Sequence, residues 1–210
     1  VTGRRHRQGT AAMLAQVMDA TIPGQVAIVP GSLTVGATSF SATALFAQAQ
    51  AGQLLLCGGS PTYSQAFTAQ TSFTITNATH GLGTQDLFVQ LYDTAGQALD
   101  PAGLVTVHPS TFLVTLTFLQ AQSGTIILSA PTPTFAASFI SQTSLTVANS
   151  THGLGTANLL WQVWDDATPR LLIRPGSVIL NSSTLGVTFA FAQAQSGRYV
   201  LAAPATMAAV

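Results

Sequence analysis

The sequence contains no lysine and no glutamate; its entire side-chain charge at neutral pH is six arginines against six aspartates. A soluble domain has about a quarter of its residues charged, whereas only 6 % are charged here. Exposed helices laced with Glu–Lys pairs are therefore excluded in any number, and strands, turns and subunit contacts must take their place. The formal net charge is zero, so no field across the whole molecule steers the chain toward nucleic acid or an anionic membrane. Cysteine occurs once, at Cys57, which rules out an internal disulfide and leaves the redox compartment open. Cys57 ends a Leu-Leu-Leu-Cys run beside Gly58-Gly59, the setting of a small buried hydrophobe. No apolar run approaches the roughly 18–20 residues that a spanning helix needs, and no membrane partner is expected. The cluster Arg4, Arg5, His6, Arg7 only loosely resembles a twin-arginine export signal, because Gln8, Gln16 and Asp19 interrupt the stretch that should be apolar. Without interleaved aromatics it reads as an exposed tail or an inter-subunit contact, and nucleic acid is disfavoured as a partner.

What is present is an ordinary apolar fraction of 47 %, enough for a core, with Ser, Thr, Gln, Gly and Ala filling the rest. The surface is then polar without being charged, which suits close self-association. The organising feature is an internal repeat. Phe46–Gly52 (FAQAQAG), Phe118–Gly124 (FLQAQSG) and Phe191–Gly197 (FAQAQSG) recur at steps of 72 and 73 residues. Upstream, Gly31, Gly103 and Gly176 align; further back, Gln16-Val17-Met18-Asp19 meets Gln90-Leu91-Tyr92-Asp93 and Gln162-Val163-Trp164-Asp165. Earlier still, His6 to Thr10 falls on His80-Gly81-Leu82-Gly83-Thr84 and His152-Gly153-Leu154-Gly155-Thr156.

Period-two patterns give the secondary structure. Phe112, Val114, Leu116 and Phe118 share one face of a strand, and Leu185, Val187, Phe189 and Phe191 repeat it. Leu87–Asp93 and Leu159–Asp165 are apolar on both faces, as in a central strand. Ala11–Met18 has helical composition, but its alignment with those two strands predicts a strand. The second and third units open with a strand, within 67–79 and 139–151, that the first lacks, having only Val1–Arg5 before its histidine. An edge left open invites another chain, so the gap is predicted to be filled in trans, by a neighbouring subunit or by further sequence. The fold class expected is all-β: three tandem small antiparallel β-sandwich or open-barrel repeats of about 72 residues (1–60, 61–132 and 133–210), the first lacking its leading strand.

Chemistry is sparse. His6, His80 and His152 would have to converge from three units to hold a metal. The simpler reading is a structural turn in which the imidazoles of His80 and His152 bond nearby backbone, Gly83 and Gly155 supply a backbone angle closed to other residues, and Thr84 and Thr156 complete the motif. Gly81-Leu82-Gly83 lacks the lysine and spacing of a phosphate loop. Asp93, Asp100, Asp165 and Asp166 read as turn caps more readily than as catalytic pairs, and there is no Gly-x-Ser-x-Gly elbow. Neither an enzyme, a metal nor a cofactor is expected. Trp161, Trp164 and Tyr92 are candidates for a sugar-stacking platform, though their place in a central strand favours core packing. The Asn-x-Thr/Ser triplets at Asn77, Asn149 and Asn181 are of the kind a Ser/Thr-rich chain generates by chance.

At His80–Asp93 (HGLGTQDLFVQLYD) and His152–Asp165 (HGLGTANLLWQVWD) the chain resembles a module of tailed-bacteriophage virion proteins, in which a His-x-Leu-Gly-Thr/Ser turn precedes a strand ending in Val-Tyr-Asp. The likeness covers the second and third units nearly whole; in the first, Arg7-Gln8 replaces Gly-Leu and Met18 replaces the aromatic. It implies a structural protein on the virion surface, self-associating (a trimer by analogy), docked to other virion proteins, and in some appendages in contact with host surface glycans.

Overall fold

The computed structural model describes residues 14–19, 25–28, 32–36, 41–45, 52–57 and 62–203. His6 and the arginines around it lie outside the described residues. The described residues are all-β and antiparallel, with two single-turn helices. The first unit contributes β1 (Leu14–Asp19), β2 (Gln25–Ile28), β3 (Ser32–Gly36), β4 (Ser41–Leu45) and β5 (Gly52–Cys57). The second holds β6 (Thr62–Ile75), a single helical turn α1 (Asn77–His80), β7 (Phe88–Asp93), β8 (Ala98–Leu99), β9 (Val105–Val107) and β10 (Val114–Ser129). The third repeats that order as β11 (Thr134–Val147), α2 (Asn149–His152), β12 (Leu160–Asp165), β13 (Arg170–Ile173), β14 (Ser177–Leu180) and β15 (Val187–Ala202).

The alternation read from the sequence sets the faces. In the first half of β10 the buried residues are Val114, Leu116 and Phe118, and in the first half of β15 Val187, Phe189 and Phe191. The stretch with helical composition folds as β1, because its partners β2 and β5 supply a ladder on each side; tertiary pairing outweighs the propensity of so short a segment. Strand β7 lies between β8 and β10, and β12 between β13 and β15, so Phe88, Val89, Leu91, Leu160, Val163 and Trp164 form the centre of the core.

The long strands are where the repeat motif acquires a physical meaning. Strand β10 pairs with β6 along both halves, but residues 118–121 oppose the single Thr71, and residues 191–194 of β15 likewise oppose Thr143 of β11. The bulged phenylalanine turns inward: Phe118 stacks on Phe67 and Phe191 on Phe139, each at 5.4 Å between ring centres. The following Gln-Ala pair projects into solvent. On the opposing strand Ala69 and Ser141 adopt left-handed backbone, φ 50° and 51°, and their N–H groups donate to Ser123 Oγ and Ser196 Oγ. The closing glycine permits a close crossing, since a Cβ on Gly124 would lie 2.1 Å from the Tyr92 carbonyl oxygen and one on Gly197 2.0 Å from that of Trp164. Each letter of Phe-x-Gln-Ala-Gln-Ser-Gly thus serves the bulge or the crossing.

The units are joined by strand pairing, for which the sequence carries no signal. Strand β13 of the third unit pairs with β9 of the second, and β2 of the first pairs with β14 of the third. Strand β8 of the second unit lies beside β3 of the first, and β7 beside β1. In each case the second strand after the central turn meets the third such strand of a neighbour, so the contacts run in a cycle from first to third to second and back to first.

Candidate functional site

Three places bring polar side chains together: the histidine turns, the junctions between units and the bulged arms. In the turns, α1 and α2 are capped by Gly81 and Gly153 in left-handed geometry, φ 67° and 65°. His80 and His152 follow these turns into the core and are buried. His80 Nδ1 accepts from Leu82 N–H at 3.1 Å and its Nε2–H donates to the Phe112 carbonyl at 2.9 Å; His152 does the same with Leu154 and Leu185. One acceptor and one donor nitrogen define the neutral Nε2–H tautomer. The carbonyls they hold belong to the two residues that open β10 and β15 in left-handed backbone, Phe112 at φ 56° and Leu185 at φ 57°. Such geometry costs a non-glycine residue about 1–3 kcal/mol, and the imidazole anchors it from across the unit.

The rest of the motif is absorbed the same way. Gly83 and Gly155 sit at φ 62° and 65°, and their N–H groups donate to the side chains of Asn77 and Asn149. Thr84 Oγ1 and Thr156 Oγ1 accept from Asp86 N–H and Asn158 N–H at 3.0 Å. Asn181 accepts from Ser183 and Thr184 in the turn before β15. All three asparagines of the Asn-x-Thr/Ser triplets therefore hold a turn, a role that sequence reasoning missed. Asp93 caps Ala95 and Gln97, and Asp165 caps Ala167 and Leu171.

At the junctions a glutamine recurs in each central strand. Gln162 Nε2 donates to the Val89 carbonyl at 2.6 Å and its Oε1 accepts from Val89 N–H at 2.8 Å. Gln16 grips Trp161 in the same two-pronged way, at 2.8 and 3.2 Å. Each amide acts as one rung of sheet between neighbouring units, in the same sense around the cycle. Gln90 holds the equivalent position in β7 and accepts from the Tyr92 hydroxyl at 3.0 Å. A glutamine repeated at one register of an otherwise apolar strand was the available signal.

The junction between the second and third units is the charged one. Arg198 makes a bidentate pair with Asp86, at 2.5 and 2.8 Å, and Arg174 reaches Asp100 at the rim. The hydrogen bond to Asp86 raises the Arg198 pKa, while desolvation, with Arg198 nearby, lowers that of Arg170. Asp86 had no part in the sequence reading.

Among the described residues, no three His, Cys, Asp or Glu side chains gather as a metal would need; His80 and His152 each serve their own unit. Trp164 and Tyr92 are buried in the central strands, and burial raises the Tyr92 phenol pKa; Trp161 keeps part of its ring exposed and meets Phe189 edge-on. The most exposed large apolar side chains among the described residues are instead on the bulged arms: Leu119 is fully exposed and Ile140 mostly so, with Ile179 of β14 less exposed. Comparison of the chain with family profiles, with curated proteins and with solved structures gives no match in any of the three.

Proposed function

We propose that this chain is a structural subunit of a tailed-bacteriophage virion, an appendage, fibre or decoration protein on the particle surface, with no catalytic role. The observation that carries the reading is that the recurring polar side chains of the motif, His80 and His152 foremost, are spent on the protein's own backbone. Little side-chain chemistry is left over for a substrate, and conserving geometry in this way suits a part that must hold its shape. The exterior supports the same reading: among the described residues the arms expose Gln120, Ala121, Gln122 and Leu119 on one unit and Ile140, Ala192, Gln193 and Ala194 on the next, none of them ionisable. Surfaces of this kind are inexpensive to bury against protein, because no ion need be desolvated. The cyclic arrangement also places within one chain three units of a module whose resemblance implies trimers, so further self-association and docking to virion neighbours would use the outer arms.

Immunogold labelling of purified particles that carry the protein is the test. Label on a head or tail appendage is expected, together with recombinant protein that assembles onto particles lacking it. Absence of label would overturn the proposal, and selective binding of the recombinant protein to one saccharide on a glycan array would move the reading to host attachment.

A further inference from the structure

Strands β4 and β5 form one edge of the first unit. By the repeat steps, β4 stands where the first half of β10 stands and β5 where its second half does, with Ala42 equivalent to Val114, Gly52 to Gly124 and Cys57 to Ser129. In the two later units this long strand has a ladder on each side: β10 pairs with β7 and β9 on one and with β6 on the other, and β15 with β12 and β14 on one and with β11 on the other. In the first unit the inner ladders are present, β4 with β3 and β5 with β1. Among the described residues no strand pairs with the outer side.

We infer that this edge takes up a further strand, supplied from outside residues 1–210, with the chemistry of β6 and β11. Both of those strands are uncharged, some fourteen residues long, with a phenylalanine opposite the crossing glycine and Ile or Val at the far end. The acceptor fits: Ser41–Leu45 and Gly52–Cys57 contain no charge and no proline, the devices by which natural edges repel strands. A second copy of residues 1–210 does not satisfy it. Each copy brings two such strands to three equivalent edges, so any exchange between copies fills one edge by opening another. The strand must therefore come from outside these residues. In antiparallel register its equivalent of Phe67 would lie opposite Gly52 and its equivalent of Thr62 opposite Cys57. Ala51 stands where Ser123 and Ser196 clasp the bulge in the later units, so the added strand pairs through β4 and β5 without that clasp.

The test uses the full chain and two synthetic peptides, residues 62–76 and 134–148 of its own sequence, with scrambled versions as controls. Fluorescence anisotropy is expected to show both peptides binding at least about tenfold tighter than their scrambles, and hydrogen exchange to show new protection confined to 42–45 and 53–57. In a second variant, the sequence 62–74 is fused directly before Val1, which occupies the position of Ile75. The fused strand is expected to raise the melting temperature and to abolish peptide binding. Equal binding of scrambled peptides, protection appearing on β10 or β15 instead, or outer-edge amides of β4 and β5 already as protected in the free chain as those of β10 would each overturn the inference.

Discussion

The second and third units, residues 62–129 and 134–202, differ where they pack and agree where they are stitched. Tyr92 is replaced by Trp164, Phe112 by Leu185, and the exposed pair Thr68 and Leu119 by Ile140 and Ala192. The backbone bonds of His80, Asn77, Thr84 and Ser123 recur at His152, Asn149, Thr156 and Ser196 with distances within 0.1 Å of one another, while the Thr76 cap of α1 has no counterpart at Ala148. A core tolerates exchange of apolar groups when volume is roughly kept, but a left-handed residue or a buried carbonyl has one solution at a given place. The module is therefore defined by its polar and glycine positions, and its apolar ones are interchangeable.

The sharpest way to break that equivalence is at the crossing glycines. Gly124→Ala and Gly197→Ala should each cost about 3 kcal/mol or more in denaturant unfolding, because the added methyl meets carbonyl oxygen of a central strand and not a movable side chain. Next come His80→Ala and His152→Ala, expected to lose about 1–2 kcal/mol apiece by stranding the part-buried Phe112 and Leu185 carbonyls. Matched losses in the two units would sharpen the comparison; a large loss in one and none in the other would break it. Gln162→Ala removes both prongs from Val89 and is expected to cost about 1–2 kcal/mol, with faster amide exchange at Val89.

Two further tests probe where the units differ. Burial raises the Tyr92 pKa above the ordinary phenol value of about 10. The fold therefore favours the neutral phenol: its contribution is fully present below the unfolded-state value and is lost as pH rises beyond it. Urea midpoints should fall above pH about 10, and Tyr92→Phe should lessen that fall, leaving the share of Tyr199, whose phenol pKa burial also raises. Smallest are the ion pairs that, among the described residues, lie at the second–third junction. Asp86→Asn is expected to cost about 1 kcal/mol, and Asp100→Asn, at a half-exposed rim pair, about 0–0.5 kcal/mol.

Much of this architecture was legible in the sequence because it repeats. The alternation of Phe112–Phe118 and Leu185–Phe191 placed the core faces, and the alignment of Gln16–Asp19 with its later copies outweighed a helical composition to give β1. The histidine turn could be picked out as well, since Gly83 and Gly155 mark backbone that other residues avoid. What was not readable is what depends on distance in the fold. The pairing of β13 with β9 and of β2 with β14 joins segments far apart in sequence, and short strands of three or four residues carry no mark of which neighbour they will meet. The positive φ of Phe112 and Leu185 gives no signal, because neither residue type favours it. Asp86 was passed over for the same reason: its partner Arg198 lies 112 residues away.

The cyclic closure of three units within one chain is what the assembly reading rests on, and distances between spin labels measure it directly. Thr43, Thr115 and Thr188 hold equivalent places in β4, β10 and β15. Each pair is converted in turn to labelled cysteines in a Cys57→Ser background, and electron–electron double resonance gives the three separations. A cycle predicts three nearly equal distances; a first-to-third separation far longer than the other two would mean units strung in a line, and would contradict the account.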